Sequence, residues 1–205
     1  MNELDQGLLK GEDGQIRCWW CGKDPFYQLY HDLEWGRPVY DDTKLYEKIC
    51  LETFQSGLSW LTVLRKRENF RKAFAQFDVH KVAAFGEQDI QRLMADAGII
   101  RNRKKIEAAI GNARAVCNML DKGETLTDFF WSRLPPPDER PQLANYESLM
   151  VLAKTPTSQK ISKDLKERGF AFVGPVTVYA HMQAMGMVND HLEGCFVRDE
   201  ISGIK

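Results

Sequence analysis

The chain has 205 residues, of which 43% are apolar and 28% charged, with 28 Lys and Arg against 29 Asp and Glu for a formal charge of −1. That length supports one large core, the composition excludes a disordered or fibrous chain, and the balanced charge gives no partner by itself. The apolar runs are too short for a bilayer and the five cysteines follow no framework spacing, so no membrane partner and a reducing cytoplasm are expected.

The N-terminal "MNELDQGLLKGEDGQ" lacks a signal peptide's apolar centre and reads as a flexible polar leader over residues 1–16, with one domain over 17–205. Next comes "RCWWCGKDPFYQLYHDLEWG", unusually rich in Trp and Tyr. From Asp42, an expected N-cap, Leu45 and Ile49 recur four apart until Gly57 interrupts, and a second helix is expected after Ser59. "RENFRKAFAQF", "DVHKVAAF" and "EQDIQRLMADAG" continue the helical period. "RNRKKIEAAIGNARAVCNML" sets Ile106, Ile110, Ala113 and Cys117 on one stripe. After "LTDFFWSRL", the prolines at 135–137 open a linker to about residue 145. No useful strand-like alternation appears. The expected class is all-α.

"ISKDLKERG" reads as a helix closed by Gly169, "FAFVG" as a short connector, and Pro175 as the first position of another helix. The segment from about 158 to 186 is therefore expected to be a helix–hairpin–helix. The free backbone N–H groups beside Gly174 suit a phosphate, and Lys163 and Lys166 on the preceding helix favour that reading over a plain helical corner. Basic residues also gather at 65–67 and 101–105. Each cluster by itself reads first as a solvated helix face; together they could also line a surface following a phosphate backbone.

Two features carry chemistry. His191 and Cys195 are four apart, which on a helix stacks an imidazole and a thiol on one face, half of a metal site. Glu52 lies three after Ile49 and seven after Leu45, on the apolar stripe of its helix. A buried carboxylate there must be paired, hydrogen-bonded or functional. With the nearby aromatics it suits a pocket for a flat cationic ring; the alternative is a core Glu satisfied by a local Arg or Lys.

"YHDLEWG", "CLETFQSGLSWLTVLRKRENFRKAF", "DAGIIRNRKKIEAAIGNAR", "FVGPVTVYAHMQAMGMVNDH" and the closing Cys195 resemble the 3-methyladenine DNA glycosylase I family, in order from about Arg17 to Cys195. The resemblance implies an all-α helix–hairpin–helix DNA glycosylase fold with one structural Zn²⁺ tying the N- and C-terminal segments together. It implies zinc ligands at Cys18, His31, His191 and Cys195, with Cys21 of the Cys18–Cys21 CxxC as a rival to His31. It also implies base-binding by Trp20, Tyr27, Tyr30, Glu52 and Trp60, of which Glu52 and Tyr30 are the catalytic candidates.

The activity implied is hydrolytic release of 3-methyladenine from double-stranded DNA carrying alkylated bases, by a monomer that flips the nucleotide out of the stack. Gly57, Leu58 and Ser59 are placed at the duplex wedge. Val176 stands where bifunctional relatives of the superfamily carry a Schiff-base lysine, so no lyase activity is expected. Asp190 is expected to buttress His191 or a helix end, and Cys50 and Cys117 to be core residues. The competing reading is a zinc-stabilised helical DNA-binding module without catalysis, against which the retained Glu52 and its aromatic neighbours speak.

Overall fold

A computed structural model describes residues 6–203. Two short strands, β1 (Leu8–Lys10) and β2 (Ile16–Cys18), are followed by α1 (Pro25–Leu33), α2 (Asp42–Gln55), α3 (Trp60–Arg65) and α4 (Arg67–Ala73). Then come α5 (Val79–Ala83), α6 (Glu87–Ala95), α7 (Arg103–Leu120) and α8 (Leu126–Trp131). The chain ends with α9 (Tyr146–Met150), α10 (Pro156–Glu167), α11 (Pro175–Ala184) and α12 (Phe196–Ser202). The architecture is mostly helical, as expected, with one exception at the start.

That exception is a correction. Within the expected flexible leader, β1 pairs antiparallel with β2, Leu8 opposite Cys18 and Lys10 opposite Ile16. Leu8 packs on an apolar cluster formed by Cys18, Leu192, Cys195, Val197 and Ile201, and Trp19 N–H donates to the Gly7 carbonyl at 2.8 Å. Tertiary contact orders a segment whose strands, at three residues each, are too short to leave a period-two signature. Residues 1–5 of that leader lie outside the described residues.

The buried helix is α2. Every residue from Leu45 to Phe54 is buried, because α3, α7, α8 and α11 pack around it. Its cap is Asp41, whose carboxylate accepts from Lys44 N–H at 2.9 Å, and not the expected Asp42. Asp42 is committed elsewhere: it accepts from the N–H groups of Leu126 and Thr127 at 3.0 and 2.9 Å and caps α8. At the other end, Lys105 donates to the carbonyls of Phe54 and Ser56 at 2.9 and 2.6 Å, satisfying acceptors that the last turn leaves free.

Lys105 thereby leaves the expected basic surface at 101–105, being buried. Arg103 is paired with Glu87 and Glu107. At 65–67, Arg65 pairs with Asp24 and Arg67 with Glu34. Part of each cluster is thus committed to the fold, while Arg101 and Lys104 remain exposed.

Helices α10 and α11 are joined by residues 168–174, which Asn112 of α7 pins from below. Its side chain accepts from Ala171 N–H at 2.8 Å and donates to the Ala171 carbonyl at 3.2 Å. Ser162 of α10 donates to the Val173 carbonyl at 2.6 Å. The corner is thus built from α7 as well as from its own two helices.

Candidate active site and metal centre

The metal-ligating candidates meet. One ligand atom each from Cys18, His31, His191 and Cys195 lies within 4.8 Å of all the others, and all four residues are buried. Cys195 Sγ is 3.5 Å from both His31 Nε2 and His191 Nδ1, and Cys18 Sγ is 3.8 Å from His191 Nδ1. A tetrahedron with Zn–S of about 2.3 Å and Zn–N of about 2.0 Å sets sulfur and nitrogen about 3.5 Å apart. The donor set and its spacing fit that ion.

The surroundings aim the imidazoles. His31 Nδ1 is 2.8 Å from Asp32 Oδ1, and Arg17 Nε donates to the same carboxylate at 2.9 Å, so Nε2 faces the thiols. His191 Nε2 is 2.9 Å from the Trp35 carbonyl, which turns Nδ1 inward. Gly36 is required here: at φ +80 its missing Cβ would stand 2.9 Å from His191 Nε2. The neighbouring Cys18 thiol, helped by the imidazoles, holds Cys195 far below the ordinary thiol value, while the neighbouring Cys195 and burial push Cys18 well above it.

One expectation changes. His191 and Cys195 do not share a helix face; they lie on a loop that turns at Gly194, with φ +88, and Cys195 is the N-cap of α12. Cys21 stays outside the group, its Sγ turned to the Cys18 carbonyl at 3.1 Å and its thiol pushed up to about 12 by burial. Of the two remaining cysteines, Cys50 is buried as expected, whereas Cys117 is half-buried beside His80.

Beside this centre is a cavity of about 340 Å³ whose walls include Trp20, Tyr27, Tyr30, Glu52 and Trp60 together. All five pocket candidates are therefore brought to one place from the segment before α1, from α1 itself, and from α2 and α3. The rings form a continuous wall. Trp20 meets Tyr27 edge-on at 5.1 Å, Tyr27 stacks on Tyr30 at 6.4 Å, and Tyr30 tilts against Trp60 at 5.6 Å. Burial pushes the Tyr27 hydroxyl up to about 12 and that of Tyr30 well above its ordinary value, so both are donors over the physiological range.

Glu52 is buried at 6% exposure and forms an ion pair of 2.8 Å with Lys48, one turn earlier on α2. Sequence reasoning weighed a local basic partner for Glu52 only as an alternative to a functional role. The structure combines the two, because the pair lies in the cavity wall. The spacing of four residues was the available signal.

Other walls were not foreseen. Trp35 packs edge-on against Trp20 at 5.0 Å, and Gln183 and Asp190 line the opposite side. Asp190 does not buttress His191. Its carboxylate is buried and accepts from Tyr179 Oη at 2.6 Å, from Gln183 Nε2 at 2.8 Å and from the Arg140 guanidinium. Trp60 Nε1 is buried and has no hydrogen-bond partner among the described residues.

The expected DNA contacts lie outside the cavity wall. Gly57, at φ +82, makes the turn between α2 and α3, Leu58 is exposed at 43%, and Ser59 caps α3 by accepting from Thr62 N–H at 3.2 Å. Gly174 is the N-cap of α11 and offers no side chain to its first turn. Lys163 and Lys166 are exposed on α10, with Lys163 loosely paired to Glu167 at 3.9 Å, and Val176 is exposed.

The protein is thus mostly helical, with an aromatic-walled, carboxylate-bearing cavity beside a Cys₂His₂ cluster. Residues 20–198 match the methyladenine glycosylase family, and the chain belongs to it. It is 53% identical over 180 residues to DNA-3-methyladenine glycosylase 1 of Escherichia coli (strain K12), covering 87% of this chain and 95% of that protein. It is 48% identical over 180 residues to DNA-3-methyladenine glycosylase of Haemophilus influenzae, covering 87% and 96%. Among solved structures, a variant of 3-methyladenine DNA glycosylase I in complex with 3-methyladenine shares 36% identity at a TM-score of 0.82, covering 89% of this chain and 97% of that one.

Proposed function

We propose that this chain is a DNA repair glycosylase that flips out and hydrolytically excises 3-methyladenine from alkylated double-stranded DNA. The observation that carries the reading is the cavity of about 340 Å³ in which a buried carboxylate, Glu52, faces a wall of Trp and Tyr rings. Methylation at N3 makes the base cationic and a good leaving group, so the protein need not protonate it. Its tasks are to accept the extruded nucleotide, to hold the charged ring against aromatic faces, and to accept a hydrogen bond from the exocyclic amine at Glu52. Tyr30 supplies a ring face and a hydroxyl at the same end. Water then adds at the sugar C1′ as the bonding pair leaves with the base.

The helix–hairpin–helix reading of α10 and α11 is supported by the uncapped N-terminus at Gly174 and the exposed Lys163 and Lys166, which suit one backbone phosphate. Exposed Leu58 on the turn at Gly57–Ser59 suits insertion into the duplex. With Val176 in place of a lysine on α11, base release proceeds without strand cleavage. From β1 onward the chain acts as one domain and a monomer, in a reducing cytoplasm. Cys18, His31, His191 and Cys195 hold one structural zinc ion, which, when bound, fastens the N-terminal segment to the C-terminal loop.

Single-turnover base release from a duplex carrying 3-methyladenine tests the function. Release of the free base without strand scission is expected. Binding of the duplex with no base release would instead mark a catalytically silent DNA-binding module.

A further inference from the structure

The pocket contains one more charge than a receptor for a cationic ring requires. Lys48 is as buried as its partner, at 5% exposure. Its ammonium is 2.8 Å from Glu52 Oε1, donates to the Tyr30 hydroxyl at 3.1 Å, and lies 3.3 Å from the Trp60 ring centroid. Glu52 and Trp60 are two of the groups assigned above to the cationic base. A lysine cation already uses both.

Asp190 also lines the cavity, but the Arg140 guanidinium already pairs with it. Glu52 alone faces both cations, and one carboxylate cannot neutralise two cations packed around it, since like charges so placed repel strongly. One of them has to lose its charge. The methylated base cannot while it remains bonded to its sugar. The groups around Lys48 leave it as the one with a proton to release. Glu52 is its own counter-ion on α2, and burial keeps the Tyr30 hydroxyl of α1 protonated. Glu34, at the end of α1, is held by Arg67 of α4 at 2.9 Å, and that guanidinium stays charged. His181 of α11 is neutral, its value held down to about 3 by burial. Burial already holds Lys48 itself below the ordinary lysine value, against the attraction of Glu52. A second cavity, of about 450 Å³, shares Tyr30, Lys48 and Trp60 with the first and gives the proton a route out.

We propose that Lys48 is the resident cation of the base pocket and surrenders its proton to solvent when a cationic base takes its place beside Glu52 and Trp60. The proposal rests on the base-pocket reading given above. When the glycosidic bond breaks, the bonding pair stays with the base and cancels its charge. Water supplies hydroxide to C1′ and its second proton goes to solvent. The neutral base no longer competes for Glu52, so Lys48 regains a proton and displaces the product. Capture is thereby tied to the charge of the base and release to the loss of that charge.

Calorimetric titration in two buffers of different ionisation enthalpy reads the proton directly. The probes are 3,9-dimethyladeninium, which keeps the methylated cationic ring without its sugar, and neutral 9-methyladenine. The proteins are the wild type, Lys48→Met and Lys48→Arg. The wild type is expected to release about one proton per cation bound and none with the neutral purine, its cation affinity rising with pH, by up to about tenfold per unit, until Lys48 of the free protein itself deprotonates. Lys48→Met should bind the cation without proton release and with a flat profile. Lys48→Arg, which keeps its proton, should bind the cation at least about tenfold more weakly than the wild type at the alkaline end. Wild-type binding without proton release, or a Lys48→Met profile parallel to the wild type, overturns the proposal and leaves the pocket reading intact. If no protein binds either purine, the pocket reading falls and the proposal with it. Should Lys48→Met fail to fold, the wild-type proton count and the arginine variant decide by the same criteria.

Discussion

Replacing Glu52 by Gln separates what the carboxylate does for the fold from what it does for the base. The substitution keeps the volume and leaves the Lys48 ammonium, 2.8 Å away and 5% exposed, without a counter-ion. Removing one partner of a buried pair costs about 3–5 kcal/mol, which for a chain of this size lowers the melting temperature by roughly 6–20 °C. Lys48 relieves part of that cost by deprotonating. Its folded value, already below 10.5, falls further once Glu52 is neutral. Between the folded and unfolded values the unfolded chain binds the extra proton, so stability rises with pH in that window. The deficit is therefore largest below the folded value and shrinks as pH climbs toward the unfolded one. Melting curves at about pH 6 and about pH 9.5 read this directly. Excision should fall by about 10²–10³, the loss usual for a preorganised electrostatic contact. The double variant Glu52→Gln with Lys48→Met removes both charges. It should recover most of the stability and none of the excision. A single-turnover rate for Glu52→Gln equal to the wild type would refute the role of Glu52 in the base pocket, and restored excision in the double variant would reduce that role to stability.

Freshly purified protein should contain about one zinc per chain by elemental analysis; Cys195→Ala should lower both metal content and melting temperature, while Cys21→Ala should leave the metal in place. Loss of metal in Cys21→Ala together with retention in His31→Ala would reverse the ligand assignment. Gly174→Asp should weaken binding to damaged and undamaged duplex alike and lower the salt slope by about one, and unchanged non-specific affinity would move the phosphate site elsewhere. Leu58→Ala should slow base release from duplex DNA more than from a single strand, where no stack has to be opened; equal slowing on both would remove Leu58 from the wedge.

The helical pattern was legible because most helices carry a period of about 3.6 residues, with start signals read at Ser59 and Pro175; the caps at Asp24, Asn102 and Thr155 were also present but went unread. The hairpin at 8–18 was not, since its order comes from contact with the C-terminal loop and not from its own residues. Asp42 was misread for the same kind of reason: a carboxylate next to a helix start caps whichever free N–H groups the tertiary fold brings to it. Half of the metal site, His191 with Cys195, and a carboxylate among aromatics were legible from the residues themselves; the full ligand set and the particular wall residues came only through the family resemblance, because Cys18 and His191 are 173 residues apart and no local rule joins them. Lys48 was missed because on sequence a Lys four before a Glu is the commonest kind of exposed helix pair. Only the packing of α2 on all sides turns that pair inward.

That packing also explains why the metal cluster and the cavity stand side by side. Trp20 follows Cys18 by two residues and Tyr30 precedes His31 by one, so each candidate ligand on the N-terminal side carries a wall of the pocket with it. Trp35 joins the two directly, through its carbonyl 2.9 Å from His191 Nε2 and its ring 5.0 Å from Trp20. Asp190, next in chain to His191, closes the far side of the cavity through Tyr179, Gln183 and Arg140. The carboxylate and its lysine, by contrast, sit on the most buried helix and owe their placement to the core. The pocket therefore has two halves with different supports. The Glu52 half is held by α2 and stands with the hydrophobic core, whereas the Trp20–Tyr30 half is held by the chain ends that Cys18, His31, His191 and Cys195 bring together. A disturbance confined to the cluster loosens the aromatic wall while leaving the charged pair in place, which is the order of failure expected when a ring-binding slot is closed by a tie outside its core.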